Sequence, residues 1–313
     1  MPRTNKLVFT CGDPAGVGPE IIQSWIAANS AAAREVAIVG AKRWLESFDL
    51  HGAMPIAVGD TSFRAEPGKP TIEGARVAFA ALEKSAALVR AGEYDGVVTA
   101  PVSKGWLAQA GYPFPGQTEF FADRWGGDAT MAFCGGKLRV ALLTWHIPLR
   151  DVPAQLSREA FARTVKATAR LALACQENPS PNFVPRIGVC GLNPHAGENG
   201  LLGTEERDTI DPILDELRKS YPGLSRSEPG DTLFARQLKG EFDAIIALYH
   251  DQGLAPLKTL DFDESVNVTL GLPHVRTSPD HGTAFGIAGK GQASARSFSN
   301  AVDVARRLLA LPH

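Results

Sequence analysis

The feature that most constrains this chain is a repeated alternation of short, unbroken apolar runs with longer segments of helical periodicity. The runs are KLVFT (6–10), EVAIVG (35–40), DGVVTA (95–100), TMAFC (130–134), LRVALLTW (138–145), RIGVCGL (186–192), DAIIALY (243–249) and VNVTLGL (266–272). Apolar runs of this length without polar alternation suit strands covered on both faces. Between them, Ile72, Ala75, Phe79, Leu82, Ala86 and Val89 fall on one face at helical spacing. Segments 157–177 and 204–220 read the same way, and a last helix spans about 294–310, from near Ser294 to before Pro312. Strands alternating with helices imply an α/β/α architecture with a mixed, largely parallel sheet.

The chain has 313 residues, enough for a large core and two domains. No low-complexity linker is present, so the two domains are expected to interleave, joined by strands. A net charge of -2 and a pI near 6.4 exclude a general nucleic-acid or membrane-surface binder. No apolar run reaches the roughly 18 residues of a membrane span. MPRTNKLVFTCGDPAG reads as a strand entering a Gly/Pro turn, not as a signal peptide. Cys11, Cys134, Cys175 and Cys190 each sit in apolar segments without C-x-x-C spacing. They read as buried thiols in a reducing cytoplasm.

Three histidines follow three of the apolar runs. His146 comes directly after LRVALLTW, His195 after RIGVCGL and an Asn-Pro turn, and His250 after DAIIALY. Ligands in α/β folds gather beyond the carboxyl ends of strands. A lone strand-end histidine is usually a hydrogen-bonded structural residue, and no compact H-E-x-x-H motif is present. Together, three neutral imidazoles with an open position suit a divalent ion. Asp151, Glu198 and Asp251 stand nearby in sequence as partners for them.

Two glycine-rich turns invite a nucleotide reading and fail its standard tests. CGDPAGVGPEI (11–21) lacks the G-x-G-x-x-G fingerprint. In DHGTAFGIAGKGQA (280–293), Ala284 stands where a phosphate loop needs its first glycine, and Gly291 follows Lys290 where Ser or Thr belongs. A loop around the adenosine half of a dinucleotide stays open. Lys258, Asn267 and Arg276 suit a phosphate or carboxylate. In GQTEF (116–120), Gln117 and Thr118 stand at a helix start, where Thr118 could be an N-cap.

GDPAGVGPEI, TAPVSK, GQTEF, HIPLRDV, GLNPHAGENG, DTLF, YHDQGLAPLK and VNVTLGLPHVRTSPDHGTAF occur in order from residue 11 to about 291. In these motifs the chain resembles the 4-hydroxythreonine-4-phosphate dehydrogenases of vitamin B6 biosynthesis. The resemblance implies an isocitrate/isopropylmalate dehydrogenase-like fold with the active site in an interdomain cleft. One domain would comprise residues 1–125 with about 275–313, and the other about 126–274, which would carry the dimer interface. A divalent metal (zinc, magnesium or cobalt) would sit on His146, His195 and His250, drawn from both subunits of a homodimer, with Asp251 beside them. Gln117, Thr118, Lys258, Asn267 and Arg276 would contact a phosphorylated small-molecule substrate. Asp13, Gly16, Gly18, His281, Gly282, Thr283 and Ala284 would contact NAD or NADP. The implied reaction is oxidation of 4-phosphooxy-L-threonine at C3, then loss of CO₂ to give 3-amino-2-oxopropyl phosphate. A bound water or Asp251 would serve as base.

The chain departs from the family at two places. Gln117 replaces the usual histidine of GHTE, which keeps hydrogen bonding but removes a titrating group. SEPGDTLF lacks the Gly-Pro-x-Pro-Ala lead-in, though Asp231 remains. Oxidation of threonate or erythronate 4-phosphate would use the same anchors. A phosphotransacetylase-like acyl transferase would need neither NAD nor the histidines.

Overall fold

A computed structural model describes residues 5–176, 180 and 182–311. Residues 1–4, the 177 end of the 157–177 helical reading, and Pro312 lie outside them. The strands are β1 (Leu7–Thr10), β2 (Val36–Gly40), β3 (Met54–Ala57), β4 (Gly96–Thr99), β5 (Thr130–Cys134), β6 (Val140–Leu142), β7 (Ile187–Cys190), β8 (Leu224–Glu228), β9 (Ala244–Ala247), β10 (Val266–Leu270) and β11 (Val275–Pro279). The chain forms two compact units. One runs to Ala129 and resumes at Leu272, and the other is Thr130–Gly271.

In the first unit the strand order is β3-β2-β1-β4-β11, every neighbour parallel. Period-two alternation along β1 explains how helices cover both faces. Phe9 meets Trp25 of helix Gly18–Ala28 and Phe298 of helix Arg296–Ala310, each edge-on with centroids 5.1 Å apart. Val8 joins Ala78, Ala81 and Leu82 of helix Ile72–Arg90 in a separate cluster. Fully burying a side chain such as Phe9 contributes about 1.5–3 kcal/mol. The helix Ile72–Arg90 starts where Thr71 Oγ1 accepts from Gly74 N, 3.1 Å away.

In the second unit the order is β10-β5-β6-β9-β7-β8. β5 runs antiparallel to both neighbours, and the rest are parallel. The sheet is therefore mixed and largely parallel, as the apolar runs predict. Ile246 packs with Phe161 and Val165 of helix Arg158–Ala174 and Leu214 of helix Asp211–Leu217. Ile245 and Ala247 point the other way, into Leu233, Phe234, Leu254 and Leu257.

Three expectations need correction. The 204–220 segment is not one α-helix: Glu206–Ile210 is a π-helical turn that leads into helix Asp211–Leu217. Thr118 is not an N-cap, because Gly116 holds that position with extended backbone and the helix begins at Gln117. Strands β3, β8 and β11 were not among the apolar runs.

Candidate active site

β6, β9 and β7 are parallel neighbours, so their carboxyl ends lie at the same edge of the second unit's sheet. His146 follows β6, His250 opens the helix after β9, and His195 follows β7. The imidazoles of His146 and His250 come together with centroids 5.8 Å apart. Asp251 Oδ1 lies 2.7 Å from His250 Nδ1. A carboxylate at Nδ1 fixes the tautomer and leaves Nε2 as the free electron-pair donor. The two rings share a cavity of about 290 Å³ with Ile147, Leu149, Tyr249 and Asp251.

His195 is placed differently. His195, Ala196, Gly197, Glu198 and Asn199 are all left-handed, with φ of 52, 51, 79, 42 and 56°. The left-handed region costs L-residues about 1–2 kcal/mol each, so something must offset it. That something is Glu206, a 3% exposed residue at the start of the π-helical turn. Its Oε1 accepts from Leu192 N at 2.8 Å and Asn193 N at 2.7 Å, and its Oε2 from Asn193 Nδ2 at 2.9 Å. A Cβ at Gly197 would stand 2.7 Å from Glu206 Oε2, so the turn closes onto the carboxylate only with glycine there. Glu206→Gln turns an amide N–H₂ toward the Asn193 donor. Its expected cost is about 1–3 kcal/mol, read as a lower melting temperature. An unchanged melt would show that the turn does not depend on Glu206.

Among the described residues, no three His, Cys, Asp or Glu side chains gather as a metal site. His195 therefore does not complete a site with His146 and His250 within one chain. The His146–His250 pair, oriented by Asp251, fits two of the ligands that a borderline divalent ion takes from neutral imidazoles.

In the first unit Arg276, on β11, is 3% exposed. Its Nη2 donates to Thr99 Oγ1 at 2.9 Å, Ser278 Oγ at 3.0 Å and Gln117 Oε1 at 3.2 Å. Burial pulls its pKa down to about 10, partly countered by Tyr112 and Glu119. The guanidinium still carries its charge at neutral pH. These three partners are neutral oxygens, and they orient the guanidinium. The sequence pointed to Arg276 and Gln117 but not to Thr99 or Ser278, which no motif distinguishes. Thr118 is buried beside Gln117 in the helix. In the second unit Lys258 is on the same helix as His250, His250–Asp261, and its ammonium stands 5.9 Å from the Phe262 ring centroid. Asn267 is on β10, opposite Phe133 of β5.

The two glycine turns meet in the first unit. Val17 N donates to Thr283 O at 2.9 Å, and a Cβ at Gly16 would lie 2.8 Å from that same carbonyl. Gly18 packs against the Cys11 carbonyl. His281 Nδ1 is 3.0 Å from Gly282 O, and Ala284 is left-handed at φ 45°. Asp13 is 1% exposed and accepts from Ala15 N at 3.0 Å, which makes it a turn-forming residue.

Burial holds the Asp13 carboxyl above its usual pKa, against the pull of the Ala15 N–H. The folded state then binds more protons than the unfolded one between the two pKa values, so stability falls as pH rises through that window. Asp13→Asn keeps the acceptor and removes the charge. The variant is expected to melt higher than the parent at pH 7, with the gap closing toward pH ~4, below which both states bind the proton. A gap independent of pH would contradict this assignment.

The chain is similar to known proteins along most of its length. The family model for pyridoxal phosphate biosynthetic protein PdxA matches residues 19–305. A curated 4-hydroxythreonine-4-phosphate dehydrogenase from Zymomonas mobilis subsp. mobilis is 43% identical, over 92% of this chain and 90% of its own. The crystal structure of a 4-hydroxythreonine-4-phosphate dehydrogenase from Klebsiella pneumoniae superimposes with a TM-score of 0.80 at 32% identity, covering 98% of this chain and 100% of that one. One from Burkholderia phymatum gives 0.76 at 33% identity, covering 97% and 98%. With the family model spanning most of the chain and the relatives covered nearly end to end, the chain belongs to the PdxA family of pyridoxal phosphate biosynthetic proteins.

Proposed function

We propose that the chain oxidises 4-phosphooxy-L-threonine at C3 to 2-amino-3-oxo-4-phosphooxybutanoate, using NAD⁺ or NADP⁺ and a divalent metal. The β-keto acid then loses CO₂ to give 3-amino-2-oxopropyl phosphate. The observation that carries this reading is the His146–His250 pair at neighbouring strand ends, with Asp251 on one ring, in a chain of this family. A zinc, magnesium or cobalt ion held by these imidazoles would make the C3 hydroxyl more acidic and draw electron density from the new ketone.

The chain's own residues supply placement. Asp251 holds the Nδ1 proton of His250 and so keeps that ring facing its ligand. Arg276, Lys258 and Asn267 are assigned to the substrate's anionic groups, which fixes C3 for hydride transfer. Gln117 steadies Arg276. Its amide does not titrate, so this position is a binding group here and not a general acid or base. Thr118 is assigned to the same substrate end. Asp13, Gly16, Gly18 and the 281–284 loop are assigned to the dinucleotide side.

The third imidazole is assigned to the partner's His195 in a homodimer. Leu149 and Leu201 support this, because they are 63% and 82% exposed and stand near His146 and His195 in the chain. Apolar side chains left in water beside a site are what a subunit interface would cover. The described residues contain no helix long and apolar enough to cross a membrane. The cysteines are all free, which supports a reducing compartment such as the cytoplasm.

The test is an assay of 4-phosphooxy-L-threonine beside threonate and erythronate 4-phosphates, with and without chelator. Reduced dinucleotide should appear with the first substrate and vanish with chelator. Faster turnover of a sugar-acid phosphate, or indifference to chelator, would overturn the reading.

A further inference from the structure

The strands that lead to the histidines are not all joined to the same length. β6 and β9 stay bonded as far as Leu143 N to Ala247 O at 2.8 Å and Thr144 N to Leu248 O at 3.2 Å. The register of β7 with β9 stops earlier, at Val189 and Ile246. Beyond that pair a side chain takes over. Gln252, half-buried in the first turn of the helix after β9, accepts from Leu248 N through Oε1 at 2.7 Å. Its Nε2 donates to Gly191 O, also at 2.7 Å. One partner is a donor and the other an acceptor, so the orientation of the amide follows from them. The side chain acts as one more rung between β9 and β7, and it satisfies two backbone groups that would otherwise lose their partners.

This rung is tied to all three imidazoles. Leu248 is fully buried, and its carbonyl also accepts from Thr144 Oγ1 at 2.7 Å. Thr144 stands two residues before His146, Leu248 two before His250 and Gly191 four before His195. Gly191 N donates to Glu228 O at 2.8 Å, and the next two N–H groups, of Leu192 and Asn193, go to Glu206. A Cβ at Gly191 would lie 2.8 Å from Ala196 Cα, so this glycine packs directly under the left-handed turn. Glutamine suits the position because its amide is both donor and acceptor, whereas a carboxylate only accepts and a hydrocarbon does neither.

We propose that Gln252 is a positioning residue for metal binding, bridging the ends of β9 and β7 so that His250 and the His195 turn are preset before an ion arrives. The inference rests on the metal part of the proposed function. Presetting the ligands removes part of the ordering cost of binding. With each His195 assigned to the partner's site, one Gln252 sets a ligand in both sites of a dimer.

Titration of the chelator-stripped, full-length protein with Co²⁺, followed by calorimetry and by the visible bands of the bound ion, tests it. Gln252→Met keeps the length of the side chain without the amide. Gln252→Glu keeps the acceptor for Leu248 N but sets an oxygen against Gly191 O. Both should bind Co²⁺ about 10- to 100-fold more weakly than the parent, well below their melting temperatures, with shifted bands. Thr144→Val, which removes only the Oγ1 donor from Leu248 O, should weaken binding in the same direction, and Thr144→Ser should restore it. Parental Co²⁺ affinity in folded Gln252→Met would overturn the proposal and leave Gln252 a role in stability alone. Parental affinity in Gln252→Glu would overturn the bridge, because the contact with β7 would then be dispensable. His250→Ala separates this from the metal site itself. If that variant loses Co²⁺ while the Gln252 variants keep it, only the positioning role fails. If His250→Ala also binds as the parent does, the histidine site fails and the positioning role with it.

Discussion

His250→Ala is expected to cut turnover at least about a thousandfold while leaving the melting temperature nearly unchanged. The rate loss follows from what the ring is asked to do. A metal that acidifies the hydroxyl and polarises the ketone supplies several kcal/mol of transition-state stabilisation, and each 1.4 kcal/mol is about tenfold in rate. The stability effect is small because the side chain is 40% exposed and touches the exposed Asp251 and the ring of His146. Metal content should fall together with the rate. Circular dichroism beside a turnover assay separates the two effects. Turnover within tenfold of the parent, in a folded variant, would remove His250 from the metal.

Arg276→Lys should raise the KM for the phosphorylated substrate by about 30- to 4000-fold. Truncating or reshaping a buried charged hydrogen-bonding partner costs roughly 2–5 kcal/mol. Lysine keeps the charge but has no planar fork, so it cannot keep Thr99, Ser278 and Gln117 engaged while facing an anion. The dinucleotide KM should change little, which distinguishes lost substrate anchoring from general collapse of the unit. An unaltered substrate KM in Arg276→Lys would assign the residue to structure alone.

The legible parts of this fold are those where burial leaves an apolar signature. β1, β2, β4, β5, β7 and β9 are buried throughout and appear in the sequence as unbroken apolar runs. β3 and β8 escape detection because they are edge strands of their units' sheets and are largely exposed or mixed. β11 escapes for the opposite reason. VRTSP is buried along its whole length, but through hydrogen-bonded polar groups such as Arg276 and Thr277, which periodicity reads as loop. The strand-end histidines were legible because their placement follows from the strands. That His146 and His250 pair while His195 stands apart was not legible, since it depends on a left-handed turn held by a carboxylate eleven positions downstream. Nothing in the spacing of Glu206 announces that role. At Gly16 and Gly18, close packing against the Thr283 and Cys11 carbonyls leaves no room for a side chain, a constraint that the glycine-rich motif does not reveal.

Mixing subunits tests the shared histidine site most directly. His195→Ala and His250→Ala proteins, each inactive alone, are dissociated, combined in equal amounts and allowed to reassociate. If His146 and His250 of one chain work with the partner's His195, each mixed dimer regains one intact site of its two. Random pairing makes half the dimers mixed, so activity should return to about a quarter of the parent's. A mixture that forms mixed dimers and stays inactive would contradict the account, because sites built within single chains cannot be repaired by a neighbour.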